Sequence, residues 1–178
     1  MSIPVHRLDL RGFLDRVRAE RRADLVEIER EVDPRYEITA FIVKLEQRMK
    51  SPVLLFKNVK GTRFPLVTNV CGSMGRLAFA MDCPLKAVGE RYSEAVDRPV
   101  APEVASAGPV HDNVLRGVDV DLGLLPPLVY HEGDSEQPYI TAAIVLARDP
   151  ESRKTNLSYH RLMIAGKAHT GIFMEPGK

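Results

Sequence analysis

The sequence predicts an α+β protein in two parts. Helical and strand periodicities alternate through the first half, a stretch holding three prolines interrupts them, and the remainder has the texture of a β-meander. With 178 residues the chain is long enough for one good core or two small ones.

Asp9 is placed to cap a helix in which Leu10, Phe13, Leu14 and Val17 fall on one stripe. From Leu25 to Arg30, Val26 and Ile28 alternate with Glu27 and Glu29, the pattern of a half-buried strand. Asp33 and Pro34 supply an N-cap and a first-turn proline for a second helix, with Ile38, Phe41, Ile42, Leu45 and Met49 as its stripe. Val53 to Phe56 and Pro65 to Asn69 are apolar runs joined by a turn, so both read as buried strands. Shorter helices are expected around Leu77 to Met81 and Leu85 to Ala95.

Pro99, Pro102 and Pro109 lie in a stretch, 97–109, that cannot sustain a helix or a central strand. We therefore expect one domain over 1–108 and a second over 109–178. In the second, Tyr139 to Ala147 and Thr155 to Ile164 are strand-like runs separated by the turn residues Asp149-Pro150-Glu151-Ser152, and a third strand begins at Thr170.

Composition excludes several function classes. A formal charge of +1, with 28% charged residues, leaves no field to gather nucleic acid or anionic lipid. Cys71 and Cys83 match no metal or redox spacing and read as reduced thiols of a cytoplasmic protein. No apolar run reaches the ~18 residues that a membrane helix needs.

Four segments carry groups capable of chemistry. Gly72 to Arg76 follows a strand as a phosphate-binding loop would, yet it fits no phosphate-loop spacing and reads as a strand-to-helix turn. Asp119 and Asp121 with His111 and His131 fit no metal-ligand pattern, which leaves turn and capping roles. Lys44, Glu46, Arg48 and Lys50 read as the solvated face of the second helix. Asn156-Leu157-Ser158-Tyr159-His160-Arg161 stands out, because a strand that should be half apolar carries an amide, a hydroxyl, an imidazole and a guanidinium. An edge strand with one wet face is the plainer account of it.

Six phrases, in order, resemble the UbiD-type decarboxylases that use prenylated flavin mononucleotide. They are DLRGFLDRVRAE from Asp9, EVDPRYEITA from Glu31, PVLLFKNVKGTRFPLVTNVCGSMGR from Pro52, GVDVDLGLLP from Gly117, YITAAIVLARDPESRKTNLSYHR from Tyr139, and the closing FMEPGK. The resemblance implies an N-terminal α/β domain followed by the first strands of a split β-barrel like that of flavin reductases. It also implies reversible, non-oxidative decarboxylation of aromatic or α,β-unsaturated carboxylic acids, with prenylated FMN and Mn²⁺ or Mg²⁺ as cofactors and K⁺ as an optional further ion. A flavin prenyltransferase would supply the cofactor.

Carried over residue by residue, the resemblance makes Asn156 a metal ligand that helps clamp the flavin phosphate. Ser158 becomes a hydrogen-bond partner of the cofactor, and the backbone at Tyr159 and His160 lines the flavin. Arg161 takes the place of the family's catalytic arginine, which meets the substrate carboxylate, and Thr141 that of a residue lining the flavin pocket. Strict alternation puts Asn156, Ser158 and His160 on one face and Arg161 on the other, so a single shared pocket would need a bulge between Tyr159 and Arg161.

Members of the family are much longer than this sequence, and their metal-binding histidine and catalytic glutamates would fall beyond Lys178. The expectation is therefore a truncated piece, a proteolytic fragment or one polypeptide of a split enzyme, inactive without its remainder and assembling as a dimer or hexamer when complete. The alternative is a non-catalytic scaffold or assembly domain derived from such an enzyme.

Overall fold

A computed structural model of the chain describes residues 9–134 and 136–174. It divides into two compact units. One comprises the chain up to Arg30, Ile42–Lys57 and Pro65–Val114; the other comprises Glu31–Phe41, Asn58–Phe64 and the chain from Leu115. The proline-rich stretch predicts a single cut at 108, whereas these units are discontinuous in sequence.

The elements run in the order α1 (Leu10–Glu20), β1 (Leu25–Val32), α2 (Glu37–Glu46), β2 (Val53–Val59), β3 (Leu66–Thr68), α3 (Met74–Ala80), α4 (Val88–Asp97), β4 (Tyr139–Arg148), β5 (Thr155–Gly166) and β6 (His169–Ile172). They form two three-stranded sheets, β1-β2-β3 and β4-β5-β6. The fold is thus mixed α+β, with neither sheet closed into a barrel among the described residues. No helix among them is long and apolar enough to cross a membrane.

In the first unit, Asp9 caps α1 by accepting a hydrogen bond from the Gly12 amide at 2.6 Å. That frees Leu14 and Val17 to bury against Leu25 and Val53, with Phe13, Leu55, Val67, Val70 and Phe79 packed around them. Residues spaced three and four apart on α1 fall on one side, which is why a single helix can cover the start of two strands. On β1 the buried positions are Leu25, Ile28 and Val32, while Val26 is exposed. This corrects the expectation that Val26 and Ile28 share the buried side. Leu25 and the partly buried Glu27 lie toward α1, where Arg18 bonds Glu27, so burial changes face along the strand.

The second helix also begins later than its proline signalled. The Asp33 carboxylate accepts from the Arg35 amide, two residues on, which is a local turn and not a helix cap. Tyr36 then has a φ of 66°, and α2 starts at Glu37, whose carboxylate accepts from the Asp33 amide. Ile38 is buried and Phe41, Ile42 and Leu45 half-buried as the stripe requires, but Met49 lies past the helix end at a φ of 55° and is exposed.

β2 and β3 pair antiparallel through Leu54, Leu55 and Phe56 opposite Thr68, Val67 and Leu66. The turn after β3 carries the least foreseen feature of the unit, a buried arginine. Ser73 caps α3 by accepting from the Arg76 amide, and the Arg76 guanidinium donates to the carbonyls of Val70, Asn69 and Ser51. Burial holds its pKa below the ordinary arginine value, with the charge of Asp24 opposing. Gly72 to Arg76 is accordingly a structural turn, as its spacing implied.

In the second unit, β4 and β5 form a long antiparallel pair and β6 folds back on β5. The segment before them is pinned by backbone bonds: Val129 donates to the Pro34 carbonyl and accepts from the Tyr36 amide at 2.9 Å. Asp121 caps a short turn by accepting from Gly123, in line with the capping role read for it. One face of the β4–β5 pair is apolar and open, with Ile144 opposite Tyr159 and Leu146 opposite Leu157, all four exposed.

Candidate functional site

The β4–β5 pairing contains an irregularity that decides which side chains meet. Ile140 is opposite Leu162, yet Ala143 is opposite His160. Three steps along β4 therefore match two along β5, so Thr141 and Ala142 together face the single residue Arg161. This is a β-bulge on β4. The sequence reading placed the irregularity in β5, between Tyr159 and Arg161; it lies on the partner strand instead. β5 keeps its alternation, with Ser158, His160 and Leu162 half-buried and Tyr159 and Arg161 exposed. A bulge in either strand changes how the two faces match, and β4 has the small residue Ala142 where the extra one must fit.

The bulge gathers Tyr139, Thr141 and Arg161 on one face. The Arg161 guanidinium lies 6.0 Å from the Tyr139 ring centre, within reach of a cation–π contact. The Tyr130 hydroxyl is 2.8 Å from the Thr141 hydroxyl. These four residues, with His131 and Asp134, line a cleft of about 420 Å³. That size is within the ~300–1,000 Å³ usual for small-molecule sites. The Asp134 carboxylate also accepts from the His131 amide at 3.0 Å, which fixes the lip of the cleft.

Asn156, Ser158 and His160 belong to the opposite face, where Asn156 pairs with Ala147, Ser158 with Val145 and His160 with Ala143. Within this chain the six sequence-derived site residues thus divide three and three, with Tyr159 on the Arg161 side and exposed to solvent. No group of three His, Cys, Asp or Glu that could hold a metal occurs among the described residues. Asn156, to which the family resemblance assigns a metal, would need other ligands to hold one.

Tyr130, His131, Asp134 and Tyr139 were not foreseen as lining residues. Tyr139 was read as the first residue of a strand and His131 as a turn residue. The available signal was the density of aromatic and polar groups in Tyr130-His131-Glu132-Gly133-Asp134, a few residues before a strand. Nothing in the spacing reveals that the Tyr130 hydroxyl reaches Thr141.

Comparison with known proteins adds a second line of observation. Residues 17–96 match the 3-octaprenyl-4-hydroxybenzoate carboxy-lyase N-terminal domain, and residues 102–178 match the Rift-related domain of the same carboxy-lyase. The chain is 29% identical over 167 residues to an anhydromevalonate phosphate decarboxylase of Methanothermobacter thermautotrophicus, covering 94% of this chain and 36% of that protein. It is 35% identical over 171 residues to a phenolic acid decarboxylase of a Streptomyces species, covering 89% and 35%. Among solved structures, a dimeric form of the UbiD-class enzyme HmfF from Pelotomaculum thermopropionicum, in complex with prenylated FMN, superposes with a TM-score of 0.84 at 36% identity, covering 94% and 38%. The chain therefore spans little more than a third of the length of these relatives.

Proposed function

The chain belongs to the UbiD family of carboxy-lyases, and from that premise we propose that it forms the N-terminal part of a reversible, non-oxidative decarboxylase of aromatic or α,β-unsaturated carboxylic acids. The observation that carries the reading is the meeting of Arg161, Thr141 and Tyr139 across the bulge, on one cleft.

The cleft suits a flat aromatic ligand with an anionic group. Tyr130 and Tyr139 offer ring faces, Thr141 a hydroxyl and Arg161 a permanent positive charge in a forked geometry. Among the described residues no carboxylate pairs with Arg161, whose guanidinium is left for an incoming one. We assign Arg161 to bind and orient the substrate carboxylate. Thr141, Ser158 and the backbone at Tyr159 and His160 are assigned to prenylated FMN, and Asn156 to the Mn²⁺ or Mg²⁺ beside its phosphate, with K⁺ as an optional further ion. When bound, the prenylated flavin supplies the electron sink that decarboxylation requires. Because the Asn156 side of β5 faces away from Arg161, no step is assigned to the metal.

The reading includes partners. Further polypeptide, corresponding to the larger share of the relatives' length, would complete the site and cover the apolar strip of Ile144, Leu146, Leu157 and Tyr159. A flavin prenyltransferase would provide the cofactor, the complete enzyme would be a cytoplasmic homo-oligomer, and its first domain would end near residue 108.

The test is to express the longest native polypeptide carrying this sequence together with a flavin prenyltransferase and Mn²⁺. Carbon dioxide release, or exchange of labelled bicarbonate into the acid, is then measured across aromatic and acrylic acids. Turnover of any of them supports the assignment; none across the panel, with flavin bound, overturns it.

A further inference from the structure

We propose that Tyr130 is a positioning residue for this site: its hydroxyl, held on a pinned backbone, selects the bulged register of β4 and thereby keeps Thr141 and Tyr139 on the face of Arg161. The proposal rests on the functional reading above and extends it to a residue outside the β4–β5 hairpin.

Beyond the bulge the strands pair as Ala143 with His160, and before it as Ile140 with Leu162. Were the pairing beyond the bulge continued without the extra residue, Ala142 would face Arg161, Thr141 would face Leu162 and Ile140 would face Met163. Because side chains alternate with period two, that one-residue slip moves Thr141 and Tyr139 to the Leu162 face and brings Ile140 beside Arg161. The cleft would lose a hydroxyl and an aromatic ring and gain an aliphatic side chain. Nothing in the turn at Asp149 to Lys154 prevents the slip, since that turn closes the other end of the hairpin.

A contact from outside the hairpin distinguishes the two registers. Tyr130 is next to Val129, which is buried and bonded to the backbone of both Pro34 and Tyr36, so the tyrosine starts from a fixed point. Its hydroxyl meets the Thr141 hydroxyl at 2.8 Å, which requires Thr141 to lie on the cleft side. In the slipped register Thr141 faces away and both hydroxyls lose this partner, a loss that disfavours the slip. The bond between Ile164 N–H and the Pro138 carbonyl at 2.9 Å holds the same register from the far end of β4.

The experiment uses the longest native polypeptide carrying this sequence and compares wild type with Tyr130→Phe, Thr141→Val and Thr141→Ser. Two readouts are taken: amide hydrogen exchange at residues 140–143, and the dissociation constant of FMN followed by flavin fluorescence. Tyr130→Phe and Thr141→Val are each expected to speed exchange at the bulge and to weaken FMN binding about fivefold, the loss of one hydrogen bond. A Tyr130→Phe/Thr141→Val double variant is expected to be no weaker than Thr141→Val alone, because once the Thr141 hydroxyl is gone the Tyr130 hydroxyl has no partner there to lose. Thr141→Ser keeps the hydroxyl and should retain wild-type values in both readouts. A merely structural tyrosine would lower the melting temperature without this pairing with Thr141. If wild type binds FMN and Tyr130→Phe matches it in affinity and exchange, the positioning role is overturned while the functional reading stands. If wild type binds no FMN, it is the functional reading that fails.

Discussion

Arg161 holds its guanidinium 6.0 Å from the ring centre of Tyr139, a residue that the bulge places on the same face of the hairpin. At that distance the ring attracts the guanidinium without taking up any of its hydrogen-bond donors, which stay available to a ligand. Two further cations, Arg16 and Arg21, approach the ring of Phe79 elsewhere in the chain, but Arg16 is paired with Asp82 and Arg21 with Asp24. Arg161 differs in having no carboxylate partner among the described residues.

Replacing Arg161 by lysine keeps the charge and removes the fork. If Arg161 receives the substrate carboxylate, decarboxylation by the complete enzyme should fall by about 10²–10³-fold in kcat/KM, with the melting temperature unchanged. Activity within threefold of wild type would remove Arg161 from the role.

Gly72→Ala tests the turn around the buried arginine. An added Cβ would lie 2.8 Å from Arg76 Nη2 and 3.1 Å from the Asn69 carbonyl oxygen, and the arginine cannot retreat without leaving its acceptors. We expect destabilisation of about 1–3 kcal/mol in urea unfolding. A neutral result would mean that Arg76 can move aside without losing its acceptors.

Arg76→Met asks how much that arginine holds. The aliphatic stem is replaced in kind, while the carbonyls of Ser51, Asn69 and Val70 lose their shared donor. Because these acceptors are part-buried, a loss of about 2–4 kcal/mol is expected by the same measurement, larger than for the exposed Arg91→Met.

Acid stability should depend on Glu27. The hydrogen bonds from Arg18, helped by the charges of Arg18, Lys57 and Arg22, hold its carboxyl below the usual glutamate range, against the opposing effect of burial. In the unfolded chain the same group takes up its proton first, at about pH 4.3. Its contribution is therefore complete above that pH and declines as the pH falls through the lower folded value. Glu27→Gln should make unfolding free energy less steep between about pH 5 and 3, and an unchanged slope would show that the pair contributes nothing.

Much of the framework is written locally in the sequence. Asp9 specifies the start of α1, and Leu14 and Val17 of its predicted stripe are buried with Phe13 packed beside them, although Leu10 is exposed; the runs at Val53, Leu66, Tyr139 and Thr155 become strands, because capping and periodicity depend on neighbours a few residues apart. The family is also legible in the sequence, since the matches to its two domains cover residues 17–96 and 102–178. What tertiary structure alone decided are relations between distant parts of the chain. Val26 is exposed because α1 covers the other side of β1 at its start; Arg76 is buried because Ser51, Asn69 and Val70 turn their carbonyls toward one point; and the extra residue of the hairpin falls on β4, beside Tyr130. A bulge shifts every side chain beyond it by one position relative to its partner strand, so the face on which Arg161 finds company cannot be read from β5 alone.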